Sequence, residues 1–374
     1  MNNQKNIKIL YFIQLPPPVH GVSIINKQVY ESEFINKGIE KSLLEIRFSS
    51  QLSQLRRLTF QKIYQLIRLS FRLTRRLIDF RPDFIYFSIM PVGKGLWRDL
   101  IFVIIIKLFN VTPVYHLHNK GIERRSRCLL MKWIYRFVFR NSLVIHLSEN
   151  LVRKEILSLG MINIKTQIIP NGIKVVMIPE NRNKPDHINI LYLSNLFPEK
   201  GFHELIEVFG KLARDNPNIY LYITGGFPYL GIQKKVKKQI LKSGLGDRIF
   251  LKGPRYDEDK LKIYGEADIF VFPSFFRQEC FPLVILEAMQ AGLPVITTRE
   301  GAIPEIIDNE INGIIINQKD NEALEYQIKR LVNDINLRSN LGSAAKKKFN
   351  ENFTLDHFEK NMRDFFEREI IQSK

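Results

Sequence analysis

The sequence predicts an α/β protein of two domains, each built on a parallel sheet. Short apolar strands alternate with helical patterns along most of the chain, which indicates parallel strands joined by right-handed crossovers. The 374 residues suffice for about two complete cores. A polar, proline-containing stretch separates two such alternating runs. We therefore predict a first domain at 1–178, a linker at 179–187, a second domain at 188–352 and a C-terminal helix at 353–374.

The positive charge lies in the first half of the chain. Residues 1–180 hold 28 Lys and Arg against 11 Asp and Glu, whereas residues 181–374 hold 28 against 27, so the formal charges are +17 and +1. A domain of this sign is expected to face an anionic partner. The two cysteines favour a reducing compartment. The N-terminal stretch lacks a signal-peptide layout, and the apolar run at Ile101–Ile106 is too short to span a bilayer.

The first half predicts six strands and five main helices from its apolar runs and helical spacing. The strands are expected at Ile7–Gln14, Leu43–Phe48, Asp83–Ile89, Thr112–His118, Ser142–Ser148 and Thr166–Ile173. The helices are expected at Val22–Phe34, Gln51–Arg81, Gly95–Phe109, Cys128–Arg140 and Glu149–Leu159.

The helix at Gln51–Arg81 is basic and amphipathic. Its apolar residues recur at helical spacing, among them Ile63, Leu66, Ile67, Leu73, Leu77 and Ile78. Another face carries Arg68, Arg72, Arg75 and Arg76. Such a stretch suits an anionic membrane surface, and the alternative is an ordinary solvated helix face. We expect a cytoplasmic protein that is peripheral on the inner face of the cell membrane.

His116 and His118 lie on one predicted strand and point to the same side of it. No Cys or carboxylate lies close to them in sequence, so we expect no metal site. The chain also shows no helix-turn-helix, zinc or aromatic RNA-binding signature, so no nucleic-acid partner is expected.

The second half alternates strands and helices more regularly. Strands are expected at Ile188–Leu193, Ile219–Thr224, Arg248–Lys252, Ile269–Phe272, Val295–Thr298 and Gly313–Asn317. Between the first two, Lys200 is expected to start a helix that runs to Asp215. Ligands of such sheets bind beyond the C-terminal ends of the strands, at the point where the strand order switches direction.

The stretch SFFRQECFPLVILEAMQAGLP, residues 274–294, places two carboxylates around a helix start. Pro282 suits the first helical position and Gly292 the left-handed cap at the end. Glu279 therefore precedes the helix and Glu287 lies in its second turn. The backbone N–H groups at this helix start form an anion site; they belong to Phe281, Leu283 and Val284. A ligand with hydroxyl groups on both sides of a diphosphate would suit this site, because the hydroxyls could donate to the carboxylates. The alternative is an ordinary strand–loop–helix with surface glutamates.

This stretch resembles the E-x7-E signature of retaining glycosyltransferases of family 4, which have the GT-B fold. The pattern around it, PS before, FPL between and EAMxAGxPVI after, is part of the resemblance. It implies two Rossmann-like domains facing across a cleft, with the C-terminal helix crossing back to the first domain. It also implies a nucleotide-sugar donor, a UDP- or GDP-sugar, on the second domain, and no further cofactor or metal.

The resemblance also implies roles for individual residues. Catalytic roles fall to Glu279, His118 and Lys200; Glu287 would bind the ribose, and Lys200 would stabilise the leaving diphosphate. Further substrate contacts are implied for Asn195, Phe281, Leu283, Val284, Gly21 and Gly253. The sequence departs from the family pattern where Asn195 replaces an arginine, His20 a first-loop glycine and Glu300 a glycine.

The resulting hypothesis is a retaining transferase that moves a hexose-type sugar from a nucleotide-sugar to a saccharide or lipid-linked saccharide, in cell-surface polysaccharide assembly. Two alternatives stay open. A nucleotide-sugar 2-epimerase of the same architecture would convert the donor without an acceptor. A non-catalytic, basic membrane- or nucleic-acid-binding protein would bind with a steep salt dependence.

Overall fold

Two parallel sheets organise the chain. The computed structural model describes residues 7–17, 19–47, 60–161, 164–179 and 187–371. The chain divides into a first unit, Met1–Asn171 together with Asp356–Lys374, and a second unit, Gly172–Leu355. Within the described residues, each unit contains one six-stranded sheet whose neighbouring strands are all parallel. The predicted fold class is therefore confirmed.

In the first unit the strand order is β2-β1-β3-β4-β5-β6. Its strands are β1 (Ile7–Ile13), β2 (Ile39–Glu45), β3 (Phe84–Phe87), β4 (Thr112–His116), β5 (Leu143–His146) and β6 (Lys165–Ile168). The helices between them are α1 (Gly21–Glu31), α2 (Phe60–Phe80), α3 (Gly93–Leu108), α4 (Ile122–Arg125), α5 (Leu129–Phe139) and α6 (Glu149–Leu151).

Three helices, α2, α3 and α5, pack on the same face of this sheet. One core cluster joins alternate residues of β1, β3 and β4 to the inner side chains of these helices. The cluster contains Leu10, Phe12, Ile85, Phe87, Tyr115, Leu69, Leu73, Leu77, Phe102, Ile106, Tyr135 and Phe139. Right-handed crossovers that step along the sheet in one direction place their helices on one side, so this arrangement follows from the strand order.

Several predicted boundaries in the first unit are wrong. Strand β2 begins at Ile39 rather than Leu43, because an edge strand can include polar residues on its exposed side. The predicted helix Glu149–Leu159 divides into α6, a π-helical turn at Val152–Ile156 and a 3₁₀ turn at Leu157–Leu159. The N-terminal part of the predicted basic helix, residues 51–59, lies outside the described residues.

In the second unit the strand order is β12-β11-β10-β7-β8-β9. Its strands are β7 (Ile188–Leu193), β8 (Ile219–Thr224), β9 (Ile249–Gly253), β10 (Ile269–Phe272), β11 (Val295–Thr298) and β12 (Ile314–Ile316). Its helices are α7 (Phe202–Asp215), α8 (Leu230–Ser243), α9 (Asp257–Glu266), α10 (Leu283–Gln290), α11 (Ile303–Ile306), α12 (Asn321–Asn333) and α13 (Ile335–Asn352).

The last helix, α14 (Leu355–Phe366), returns to the first unit. Phe358, Met362 and Phe366 are buried there, and the ring of Phe366 lies 6.4 Å from that of Tyr86 on β3. The guanidinium of Arg363 also donates to the backbone oxygen atoms of residues 35 and 37. The C-terminal helix therefore completes the hydrophobic core of a unit whose strands all lie near the N-terminus.

Candidate active site

The second sheet changes direction between β7 and β10, which are neighbours. From β7 the chain continues to β8 on one side, whereas β10 and β11 extend the sheet on the other. The crevice beyond the carboxyl ends of two such strands is where open α/β sheets bind ligands. Lys200 follows β7 and Glu279 follows β10, so the strand order brings these two predicted residues to one place.

Gly201 fixes the loop that carries Lys200. Its φ of +83° is left-handed, and a Cβ at this position would lie 2.2 Å from the backbone oxygen of Pro273, just beyond β10. The predicted helix start at Lys200 is therefore wrong: Lys200 ends a 3₁₀ turn, Pro198–Lys200, and α7 begins at Phe202. The backbone N–H of Phe275 also donates to the oxygen of Glu199 at 2.9 Å, which ties the two loops together.

A second close approach fixes the backbone of Glu279. Gly301, with φ +56°, has its Cα so near the Glu279–Cys280 backbone that a Cβ would lie 2.4 Å from the oxygen of Glu279. The N–H of Ala302 donates to the Cys280 oxygen at 2.7 Å. The neighbouring Glu300 is buried and accepts from the side chain of Gln318 at 2.6 Å. The loop after β11 thus supports the loop that carries Glu279.

Lys200 and Glu279 form an ion pair. The Lys200 Nζ lies 3.2 Å from Oε2 of Glu279, and the two side chains are 16% and 10% exposed. The same Nζ lies 5.6 Å from the ring centroids of both Phe272 and Phe276. Burial, followed by the charge of Glu279, raises the pKa of the Tyr192 hydroxyl well above its usual value. The ammonium is therefore held in a poorly hydrated pocket, where its charge acts strongly on a nearby anion.

Glu287 on α10 has two partners on α9. The Lys260 Nζ lies 2.6 Å from Oε1 of Glu287, and the Tyr264 hydroxyl donates to Oε2 at 2.9 Å. Burial and then the charge of Glu287 raise the pKa of that hydroxyl well above its usual range. Both carboxylate oxygens are thus occupied by donors, and the carboxylate orientation is fixed from one side.

The start of α10 lies between Glu279 and Glu287 along the chain. Pro282 is the N-cap residue, whereas the sequence predicted it as the first residue of the helix. Leu283 and Val284 open the helix. The first N–H groups of any α-helix lack an acceptor within the helix, so these backbone groups can receive an anion. With Lys200 on one side, this helix start can bind a diphosphate while Glu279 and Glu287 accept from flanking hydroxyls.

Two further predicted residues lie on neighbouring loops. Gly253, at the end of β9, has a left-handed φ of +67° and accepts a hydrogen bond from the N–H of Gly225 at 3.0 Å. Asn195, after β7, is half-buried, and within the described residues its side-chain amide has no hydrogen bond. The free amide can meet a ligand oxygen, but it carries no charge where the family pattern has an arginine.

His118 lies in the first unit, two residues beyond β4. Its ring stands 4.0 Å from that of His116, so the two side chains share one side as predicted. Burial, followed by the neighbouring His20, lowers the pKa of His118 to about 3. Burial lowers the pKa of His146 to about 3 as well. Among the described residues, Nε2 has no hydrogen-bond partner in any of the three rings, those of His116, His118 and His146. These imidazoles are therefore neutral at neutral pH.

His20 caps helix α1. Its Nδ1 accepts from the N–H of Ser23 at 3.2 Å, while the Ser23 hydroxyl accepts from the N–H of His20 at 3.1 Å. This reciprocal pair is a capping box. Gly21 is the first helical residue behind it. The unusual histidine in the first loop thus has a local structural role that the sequence did not indicate.

Sequence reasoning missed Lys260, Tyr264 and Glu155. Nothing in the local sequence distinguishes Lys260 and Tyr264, although their spacing of four residues places them on one face of α9. Glu155, on the π-helical turn, accepts from the N–H groups of Gly121 and Ile122 at 2.8 and 2.5 Å. It thereby holds the loop that follows His118, and burial raises its pKa.

The described part of the chain contains no cluster of three or more His, Cys, Asp or Glu side chains able to hold a metal ion. Among the same residues, none of the helices has the length and apolar character needed to cross a membrane.

Comparison with known proteins identifies relatives of this chain. Residues 177–348 match the family described as glycosyl transferases group 1. The capsular polysaccharide biosynthesis glycosyltransferase CapM of Staphylococcus aureus is 30% identical over 176 residues, 45% of this chain and 43% of CapM. The sulfoquinovosyl transferase SQD2 of Arabidopsis thaliana is 26% identical over 309 residues, 77% of this chain and 57% of that protein. The alignments thus span about half the length of these curated relatives.

The fold extends the likeness to the whole chain. The crystal structure of HepE from Anabaena in complex with UDP-glucose superposes with a TM-score of 0.75 at 21% sequence identity, covering 96% of this chain and 99% of HepE. At this level of identity the likeness concerns the fold. Residues 177–348 are thus similar to the glycosyl transferases group 1 family, and the chain has the GT-B fold.

Proposed function

We propose that the protein is a glycosyltransferase that moves a sugar from a nucleotide-sugar donor to a saccharide or lipid-linked saccharide acceptor. The observation that carries this proposal is the arrangement of Lys200, Glu279 and Glu287 around the start of α10, at the switch point of the second sheet. The crystallised complex of HepE with UDP-glucose supports a donor of the UDP-sugar type, and a GDP-sugar is the other expected donor.

In this proposal each part of the site meets one part of the donor. Glu287 accepts from the ribose hydroxyls, and its fixed orientation between Lys260 and Tyr264 reduces the ordering cost of binding. Lys200 and the N–H groups of Leu283 and Val284 bind the diphosphate. Glu279 accepts from the sugar hydroxyls.

The reaction breaks the bond between the anomeric carbon and the diphosphate oxygen. The bonding electrons leave with the nucleoside diphosphate, whose growing negative charge Lys200 and the helix start stabilise. An acceptor hydroxyl bonds to the anomeric carbon, and its proton passes to an oxygen of the departing diphosphate. We propose that the configuration at this carbon is retained and that the transferred sugar is of the hexose type. No metal is required where Lys200 and the helix supply the positive charge.

We propose that the first unit binds the acceptor and that the neutral His118 and the loop at Gly21 contribute to this binding. The product would belong to a cell-surface polysaccharide. The name of the relative CapM, a capsular polysaccharide biosynthesis glycosyltransferase, supports this assignment. The charge of +17 on residues 1–180 supports an anionic lipid carrier at the inner face of the cell membrane.

The first test is calorimetric titration of the purified protein with UDP, GDP, ADP, CDP and dTDP. One nucleotide is expected to bind, and Glu287→Ala and Lys200→Ala should each weaken it at least about tenfold, the loss of one charged hydrogen bond. Glu199→Ala, which removes an exposed carboxylate beside Lys200, is the matched control and should leave binding unchanged. If no nucleotide binds, or all three variants behave alike, the donor site is refuted.

A second test separates transfer from epimerisation. The matching nucleotide-sugar is incubated with and without a mixture of saccharide acceptors, and the products are analysed by proton NMR. Transfer predicts a new glycosidic signal with the donor's anomeric configuration, and release of nucleoside diphosphate that depends on the acceptor. Conversion of the donor sugar without any acceptor would instead identify an epimerase.

A further inference from the structure

Helix α2 carries apolar side chains on the side that faces away from the sheet. Its inner stripe, Leu69, Leu73 and Leu77, is buried in the core. At 100° per residue, a second apolar stripe lies on the opposite side of the same helix. It consists of Phe60, Tyr64, Ile67, Phe71 and Ile78, whose exposed fractions range from 54% to 93%. The sequence analysis grouped Ile67 and Ile78 with Leu73 and Leu77 in one helical spacing, whereas the structure exposes the first two and buries the last two.

Helices α3 and α5 repeat this arrangement. The outward residues of α3 recur every three or four positions and are between 40% and 79% exposed. They are Trp97, Ile101, Ile104 and Leu108. On α5 they are Leu129, Leu130, Trp133 and Phe137, between 44% and 75% exposed. All three helices lie on one face of the first sheet, and the Lys107 ammonium at the end of α3 contacts the ring of Phe137 on α5. We name these outward apolar residues of α2, α3 and α5 the outer helical face.

The charges around the outer helical face are almost all positive. The three helices contain ten Lys and Arg and two acidic residues. One of the two, Asp99, is fully buried and bonded to Arg98, and the other, Asp79, is paired with Arg75. Arg68 and Arg72 are exposed on α2 beside its outward apolar stripe. A surface that combines exposed aromatic and aliphatic side chains with a net positive charge is complementary to the interface of an anionic bilayer.

We propose that the outer helical face inserts into the headgroup region of an anionic lipid membrane, with its apolar side chains below the phosphates and its arginines among them. A second copy of the chain fits this surface less well, because two faces of the same positive sign would repel one another. The only two tryptophans of the protein, Trp97 and Trp133, both lie on it, and tryptophan favours membrane interfaces. The proposal concerns location and does not depend on the reaction.

The position of the two tryptophans makes insertion directly measurable. The full-length protein is mixed with vesicles of phosphatidylglycerol and phosphatidylcholine, and with vesicles of phosphatidylcholine alone. With the anionic vesicles we expect pelleting, a blue shift of the tryptophan emission and quenching by lipids brominated on their acyl chains. Pelleting without a shift or quenching would show electrostatic adhesion only and overturn the insertion. Absence of pelleting would overturn the whole proposal.

Matched variants distinguish vesicle binding by the outer helical face from nonspecific electrostatic or hydrophobic binding elsewhere on the protein. Phe71→Ser leaves both tryptophans in place and is expected to weaken vesicle binding about tenfold, the equivalent of one buried aromatic side chain. Its control is Tyr326→Ser on α12 of the second unit, a residue of similar exposure at 64%. Arg68→Glu with Arg72→Glu is expected to weaken binding roughly tenfold or more. Its control, Lys234→Glu with Lys238→Glu on α8, makes the same change in net charge in the second unit.

Equal losses in a variant and its control would refute the assignment to the outer helical face. Light scattering of the free protein supplies the other decisive outcome. A stable dimer whose tryptophan emission is already blue-shifted without lipid, and which Phe71→Ser dissociates, would identify the outer helical face as an interface between copies. The membrane proposal would then be wrong.

Discussion

Lys200 reaches Glu279 across the switch point of the second sheet, with 3.2 Å between its Nζ and the nearer carboxylate oxygen. The two residues are 79 positions apart in the sequence, and each is largely shielded from water. In the absence of a ligand, each side chain therefore provides most of the neutralising charge for the other. A diphosphate that binds beside Lys200 would neutralise part of its charge in place of Glu279.

The first prediction concerns Lys200→Met, which removes the ammonium but keeps most of the apolar stem. Glu279 would be left as a poorly hydrated carboxylate without its partner, so the free energy of unfolding should fall by about 2 kcal/mol. The double variant Lys200→Met with Glu279→Gln should recover a large part of this loss. Urea unfolding of the four proteins measures the coupling. Simple additivity of the two changes would show that the contact contributes nothing.

A second prediction concerns Lys260, which approaches Glu287 at 2.6 Å. Lys260→Met leaves Tyr264 as the partner of that carboxylate, so Glu287 should be held less firmly. We expect nucleoside diphosphate binding to weaken about three- to tenfold, the worth of one charge-assisted hydrogen bond. Calorimetry with the matched variant Lys262→Met, whose ammonium contacts Asp259 instead, provides the control. Unchanged affinity in Lys260→Met would exclude a positioning role.

Buried histidines predict a dependence of stability on pH. The pKa values of His118 and His146 are each lowered to about 3 in the folded protein, against about 6.5 in an unfolded chain. Below about pH 6.5 the unfolded state therefore binds protons that the folded state does not, and stability falls as the pH falls. Between pH 7 and 5.5 the loss should be about 1.3 kcal/mol for each histidine.

Urea unfolding followed by tryptophan fluorescence tests this prediction, because Trp97 and Trp133 both report on the first unit. In His146→Asn the loss between pH 7 and 5.5 should shrink by about 1.3 kcal/mol. His357→Asn, at an exposed position on α14, should keep the full dependence. Equal pH profiles for both variants would contradict the assignment.

The fourth prediction concerns the turn after Lys200. Gly201→Ala would place a Cβ 2.2 Å from the Pro273 oxygen, in a backbone conformation that disfavours it. The loop must then move, and we expect a loss of about 2–4 kcal/mol in stability together with weaker diphosphate binding. Gly226→Ala, where a Cβ meets nothing within 4 Å, should cost less than about 1 kcal/mol. Thermal unfolding of both variants compares them, and similar losses would disprove the packing argument.

The strands of the second unit could be predicted closely from the sequence. Strands β7, β8, β10 and β11 begin and end at the predicted residues. Of these, β10 and β11 are buried along their whole length, and strands buried on both faces give a strong hydrophobic signal. The same reasoning placed Lys200 and Glu279 beyond the ends of two strands, and the strand order observed in the structure explains their contact.

Contacts that depend on helix orientation could not be predicted. The spacing of Lys260 and Tyr264 defines a face of α9 but does not say that it meets Glu287. The periodicity of α2 likewise shows two apolar stripes and cannot decide which one the sheet covers. Gly201 explains the error at Lys200: a left-handed turn interrupts a segment whose composition otherwise favours a continuous helix.

The return of α14 to the first unit has a consequence for how the chain is made. The strands of that unit leave the ribosome first, but Phe358, Met362 and Phe366, which are fully or almost fully buried in it, are synthesised only after the whole second unit. The first unit must therefore wait, with part of its apolar interior open to water, while some 180 intervening residues are added and fold. The half of the protein that begins the sequence is thus the half that finishes folding last.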